Sequence, residues 1–200
     1  MDRGHDYVGS IRLSREDAAA ATTGVFVGIS SSDYISMLSR SKSRSAYSAT
    51  GSSHAIAAGR LAFLFGLQGP CVSVDTAWSS SLTAVHLCVR SLQQGECSIG
   101  LAGGVNAIVS FDTTAQYLNL NMLSPDGRCK TFDATANGYV RGEGAGLVVL
   151  QPLSDAIAQG RDVVAVLAGS SINQDGKSAT ITAPNGAAQQ QVIRSALRDA

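Results

Sequence analysis

The segment Cys71-Val72-Ser73-Val74-Asp75-Thr76-Ala77-Trp78-Ser79-Ser80-Ser81-Leu82 decides the reading of this chain. Residues 71–77 are mostly small, β-branched or apolar, which suits a buried strand. Ser79, Ser80 and Ser81 are natural helix starters, because a seryl hydroxyl accepts from the free N–H groups of a first turn. Leu82, Val85, Leu87, Val89 and Leu92 then give a mostly apolar helix, with Leu87 one position off the strict repeat. A buried strand that turns sharply into a helix presents one side chain at the turn. The helix end behind it carries roughly half a positive charge. That geometry activates a nucleophile and favours an anion. Here the presented residue is Trp78, whose indole offers an N–H donor and nothing to attack with.

Away from this unit, strands and helices alternate. Residues 1–22 are polar and alanine-rich, carry no motif, and stay an unassigned N-terminal segment. A short helix is expected there after Ser14, with Asp17 three positions on as a loose capping box. Residues 23–29 read as a short buried strand. Residues 30–53 are serine-rich, with Lys42 and Arg44 adding charge, and read as surface loop or lid with one helical stretch at 33–38. Residues 54–65 form a helix with so little polar surface that it should pack inside, and Gly66, Gly69 and Pro70 end it. The central helix closes at Gly95. An apolar strand region at 98–109 contains Gly103-Gly104, read as a turn. Residues 113–120 look helical, and 122–138 form a long loop with a turn at Pro125-Asp126-Gly127. A strand follows at 144–150, then a short helix at 154–160 capped by Ser154, with Gly160 after it. A third-layer strand is expected at 163–170 and a loop at 173–185. The helix at 187–199 is amphipathic, with Val192, Ile193, Ala196 and Leu197 on one face. Fully apolar strands alternating with helices indicate an α/β layered fold with buried sheets.

Composition excludes several classes. Hydrophobic residues make up 44% and charged residues 15% of the 200, so the chain is core-rich and not disordered. Fifteen basic residues balance fifteen acidic ones, and nothing in the charge points to nucleic acid or a membrane surface. Low charge with 21 glycines suggests a chain buried on several sides. Cys71, Cys88, Cys97 and Cys129 form no Cys-x-x-Cys and no zinc spacing, so no metal is expected. They read as reduced and mostly buried, which points to a cytoplasmic setting. The sequence has no apolar run of about 18 residues and no signal-peptide core at its N-terminus.

Val74-Asp75-Thr76-Ala77-x-Ser79-Ser80-Ser81-Leu82 resembles the active-site segment of β-ketoacyl synthases, in particular the ketosynthase domains of modular type I polyketide synthases. Further motifs resemble that family in the same order. They are Gly100-Leu101-Ala102-Gly103-Gly104-Val105-Asn106, Leu123-Ser124-Pro125-Asp126-Gly127-Arg128-Cys129-Lys130-Thr131-Phe132-Asp133, Gly138-Tyr139-Val140-Arg141-Gly142-Glu143-Gly144, and Asn173-Gln174-Asp175-Gly176 with Thr182-Ala183-Pro184-Asn185. The run Gly142–Gly146 alone would be a weak hint of nucleotide binding and reads better as close packing at a strand start.

The resemblance implies a thiolase-like fold of five layers, α-β-α-β-α. This chain would supply about the first half and the start of the second, over residues 23–200. It implies a reaction in which a cysteine takes an acyl group from an acyl carrier protein, followed by decarboxylative Claisen condensation with a malonyl-type extender. No cofactor is implied beyond the phosphopantetheine of that carrier. Acyl and malonyl-type thioesters are the implied substrates, and the strand leading to residue 78 would pair with its copy in a homodimer. Phe132, Thr182, Pro184 and Asn185 would lie near the acyl pocket.

Two departures stand against the match. Trp78 occupies the nucleophile position, and the family's two histidine motifs do not occur, since His5, His54 and His86 match neither. The chain is therefore expected to be inactive in condensation. A chain ending at Ala200 is also expected to leave a large apolar face open. Trp78 reads as a plug, as a relic of lost function, or as a single-base change in a cysteine codon. A catalytically dead structural domain is the alternative from another class, and a decarboxylase-like loading variant ranks last. Among the other residues, Ser79 should cap the helix, Cys71 and His86 should be core, and Arg141 with Glu143 should form an ion pair. Asp75 should hold the turn by hydrogen bonds.

Overall fold

The computed structural model describes residues 8–11, 14–41 and 45–200. His5, Lys42 and Arg44 lie outside the described residues. One mixed six-stranded sheet carries the fold, built from β1 (Val8–Ile11), β2 (Thr23–Gly28), β3 (Cys71–Val74), β4 (Ile99–Asn106), β5 (Gly144–Pro152) and β6 (Val163–Leu167) in the order β3-β2-β4-β5-β1-β6. β2 pairs in parallel with β3 on one side and β4 on the other. The β4–β5, β5–β1 and β1–β6 pairs are antiparallel. The segment before residue 22, which carries no motif, supplies β1, wedged between β5 and β6, and a helix α1 (Arg15–Ala20). As expected, the Asp17 N–H donates to Ser14 Oγ at the start of that helix (3.2 Å). β6, expected in a third layer, joins the edge of this same sheet.

β2 is buried along its whole length, as its apolar run requires. Alternate residues face opposite ways. Phe26 joins Ala84, Cys88, Val89, Leu92 and Ala102 on one face, under helix α5 (Ser80–Gln93). Val25 and Val27 join Ala18, Ala58 and Leu67 on the other, under helix α4 (Ala55–Phe65). The described residues therefore form three layers, α-β-α.

This packing corrects several expectations. The expected burial of β3 does not hold: it lies at the sheet edge with Cys71 and Val72 exposed, because only β2 pairs with it here. Nor is α4 fully inside. It covers only β2 and β3 through Ala58, Leu61, Ala62 and Phe65, and its opposite stripe leaves Phe63 88% exposed. Gly66 ends α4 in the left-handed region, as its sequence position suggests. Gly103-Gly104 is not a turn, since β4 runs straight through it. A Cβ at Gly103 would collide with the Gly146 carbonyl oxygen across the β4–β5 pair, so glycine there serves close strand approach. The cysteines divide evenly, with Cys88 and Cys97 buried, Cys71 and Cys129 exposed, and all four free.

Three helices complete the chain. They are α6 (Asp112–Asn119), α7 (Leu153–Ala158) and α8 (Gly186–Asp199), while α2 (Asp33–Arg40) and α3 (Ser48–Ser52) interrupt the serine-rich stretch. Ser154 lies inside α7 and does not cap it, since Pro152 holds the cap position. On α8 the expected apolar face is only partly covered, with Val192 and Ala196 half-buried and Ile193 and Leu197 exposed.

Candidate active site

The chain enters β3 from α4 on one face and leaves through α5 on the other, so β3 and β4 flank β2 on opposite sides. The carboxyl ends of β2, β3 and β4 therefore open onto a common crevice, the place where open α/β sheets bind ligands. A cavity of about 770 Å³ lies there. Gly28 makes it possible: a Cβ at that position would lie 2.5 Å from the backbone of Ser80 and Ser81, so only glycine lets β2 meet the start of α5.

The turn between β3 and α5 is stitched by short polar side chains. Asp75 Oδ1 accepts the Ala77 N–H (2.9 Å), as expected of Asp75, and Ala77 takes a φ of 55°, uncommon for a residue with a Cβ. Ser80 Oγ accepts the Thr76 N–H (2.9 Å) and donates to the Ala77 carbonyl (2.5 Å). Ser79 Oγ donates back to the Thr76 carbonyl (2.8 Å). Neither serine caps α5: Ser79 sits at the cap position, but its hydroxyl is turned toward the strand. The serines fix the elbow itself.

That elbow projects Trp78 into the crevice, 65% exposed. Its ring centroid lies 5.8 Å from Tyr117 and 5.8 Å from Tyr139, the latter edge-on at 73°. The indole Nε1–H donates to Tyr139 Oη (3.2 Å). Tyr117 comes from α6. Tyr139 is held by the loop before β5, where its N–H donates to the Met122 carbonyl and its own carbonyl accepts from Ser124. Arg141 lies 5.5 Å above the Tyr117 ring and donates to Thr114 Oγ1 on the same helix.

The expected Arg141–Glu143 ion pair is absent among the described residues. Arg141 turns to α6, while Glu143 accepts the Ile108 N–H. Asp33, 3% exposed at the start of α2, accepts from the Ser110 N–H (3.2 Å) and Thr113 Oγ1 (2.8 Å), which fixes the head of α6 and so the aromatic wall.

The remaining sequence candidates lie elsewhere. Phe132 is fully exposed with a φ of 63°, on the loop at 122–138. Thr182 and Pro184 are exposed, and none of these lines the cavity. Asn185 caps α8, its Oδ1 accepting from Ala187 and Ala188. His86 is half-buried and satisfied, its Nδ1 bonded to Ser170 Oγ (2.9 Å), and burial lowers its pKa. His54 contacts the Ser31 carbonyl. Among the described residues no thiol lines the cavity, and burial pushes the Cys88 thiol up to about 12. Among the described residues no His/Cys/Asp/Glu group could hold a metal ion, and no helix is long and apolar enough to cross a membrane.

Tyr117, Tyr139 and Arg141 are the site residues that sequence reasoning missed as a group. Tyr139 and Arg141 fall within a quoted motif, and their alternate spacing was the available signal. Tyr117 carried none.

The family description "Beta-ketoacyl synthase, N-terminal domain" matches residues 8–156, and "Beta-ketoacyl synthase, C-terminal domain" matches residues 164–200. The chain belongs to the β-ketoacyl synthase family, as part of a ketosynthase domain of the polyketide synthase kind. It is 49% identical over 187 residues to the spectinabilin polyketide synthase system protein NorC of Streptomyces orinoci, covering 93% of this chain and 8% of that protein. With polyketide synthase GfsA of Streptomyces halstedii it shares 46% identity over 181 residues, 90% of this chain and 2% of the relative. The ketosynthase from module 6 of the bacillaene synthase of Bacillus subtilis superposes with a TM-score of 0.82 at 38% identity, over 96% of this chain and 31% of that one. The thiolase-like layered fold is thus present in part.

Proposed function

We propose that this chain is a ketosynthase segment that seats an acyl group at the elbow without taking it up covalently, and so does not condense. In the family reaction a cysteine thiolate attacks an acyl thioester and releases the carrier thiol, and a helix start favours that thiolate. The observation that carries the reading is Trp78 at the elbow, packed on Tyr117 and Tyr139. An indole has no sulfur to acylate and offers only its N–H as a donor. The decarboxylase-like alternative needs a free donor for an enolate oxygen, but the Trp78 N–H is engaged by Tyr139.

The family also supplies the rest of the reading. The partner is an acyl carrier protein whose phosphopantetheine carries acyl and malonyl-type groups, so the chain needs no cofactor of its own. Phe132, Thr182, Pro184 and Asn185 lie outside the cavity, so the acyl-pocket role that the family resemblance implies for them draws no support from its lining. The exposed edge strand β3 supports pairing with a second copy, and the four free cysteines support a reducing, cytoplasmic setting.

The test is peptide mass mapping after incubation with an acyl thioester. Wild type is expected to carry no acyl group on the peptide containing residue 78, and Trp78→Cys is expected to carry one. A condensation product from wild type overturns the inactivity. An unmodified Trp78→Cys overturns the elbow as the seat of the nucleophile.

A further inference from the structure

The cavity wall is selective in charge. Among the described residues Arg141 is the only charged side chain lining it, and no carboxylate lines it. Its guanidinium already lies over the Tyr117 ring, which closes that aromatic face to an ammonium ligand. Tyr139 Oη accepts the Trp78 N–H, so its own phenolic proton is left to donate, with no partner among the described residues. Burial raises the Tyr139 pKa, which keeps that proton in place at neutral pH. Part of the remaining polar wall is engaged: Ser31 Oγ donates to the Ala107 carbonyl (3.0 Å), Asn106 Nδ2 to the Gly142 carbonyl, and Thr113 Oγ1 to Asp33, while Ser30, Ser32 and Ser81 add hydroxyls to the lining. The crevice thus offers a cation and an O–H donor at the rim of an aromatic surface made by Trp78 and Tyr117.

We propose that this cavity holds a small aryl carboxylic acid without a covalent bond. Its carboxylate meets Arg141 and Tyr139, and its ring packs on the indole. Charge-assisted bonds to a carboxylate are the strong kind, and Arg presents a fork that fits one. The inference rests on the crevice being the acyl seat and adds the class of guest.

Trp78 is the sole tryptophan, so its fluorescence reports this cavity alone. The full chain is titrated with phenylacetate, phenylacetamide and phenethylammonium. A saturable change in emission is expected with phenylacetate, about tenfold weaker binding with the neutral amide, and none with the ammonium. Arg141→Gln should bring the acid down to the level of the amide while the amide response persists. Equal responses to all three probes, or an acid preference that survives Arg141→Gln, overturns the proposal. The two readings fail separately: acylation of Trp78→Cys tests the seat, whereas these titrations test the guest on the unmodified chain.

Discussion

Helices α4 and α5 lie on opposite faces of the same parallel strands, and both are rich in apolar residues, yet only α5 is covered. α5 lies across β3, β2, β4 and β5, and buries Ala84, Cys88, Val89 and Leu92. α4 lies across β3 and β2 alone and buries only Ala58. The difference shows that burial belongs to the neighbourhood and not to the helix. An apolar helix over the sheet centre becomes core, while the same chemistry over an edge keeps one stripe in solvent. The candidate site is mounted on the covered helix, whose start is wedged against Gly28, so the elbow inherits the rigidity of the core.

The sharpest way to break this comparison is to shorten side chains on each helix. Leu92→Ala on α5 is expected to lower stability by about 3 kcal/mol, from lost burial and a residual cavity. Phe63→Ser on α4 should stay within about 0.5 kcal/mol. Urea denaturation measures both, and similar losses would remove the distinction between the two faces.

Gly28→Ala should cost about 2 kcal/mol, because the added methyl meets backbone atoms of α5 that cannot turn away. It should also shift Trp78 emission, since the elbow moves with the helix. Retention of wild-type stability and emission would mean that the strand and helix are not wedged.

Asp33→Ala is the next smaller effect. It leaves the Ser110 N–H and the Thr113 hydroxyl without their acceptor, at a cost of about 1–2 kcal/mol. The aromatic wall should loosen with it, seen as greater acrylamide quenching of Trp78. Quenching identical to wild type would separate α6 from the site.

The smallest effect is in pH. Asp199 lies below its ordinary value of 3.8, chiefly because the Ser170 N–H donates to it, with Arg90 beside it. His86 lies below its ordinary 6.5 through burial and the nearby Arg90 charge. Both groups bind protons less readily in the folded state, so their contribution is present at neutral pH and is lost as pH falls. The gap in Tm between wild type and Asp199→Asn should therefore narrow on acidification below about pH 4. A gap that widened in acid would reverse the assigned sign. The contacts involved tie α5 to the end of α8.

Local signals were legible where the chain makes its own case. The unbroken apolar run of β2, the Ser14–Asp17 start of α1, Gly66 after α4 and Asp75 at the turn each depend on neighbours a few residues away. Motif order was enough to indicate the family, and the strand–helix reading located Trp78 at the elbow.

Misreadings arose where a residue's role depends on a distant segment. Gly103 looks like a turn until β5 is laid against it. Ser79 looks like a cap until the elbow gives its hydroxyl a nearer carbonyl. Arg141 looks like a partner of Glu143 until α6 brings Thr114 and Tyr117 to it. The sequence by itself determined most of the elements, though not β1 or α3, together with the elbow and the residue presented there, because periodicity and capping act over one or two turns of chain. Tertiary structure alone decided which helix is covered, that β1 joins the sheet between β5 and β6, and that Trp78, Tyr117, Tyr139 and Arg141 share one wall. Those outcomes depend on contacts between segments tens of residues apart, and local chemistry does not encode which of them meet.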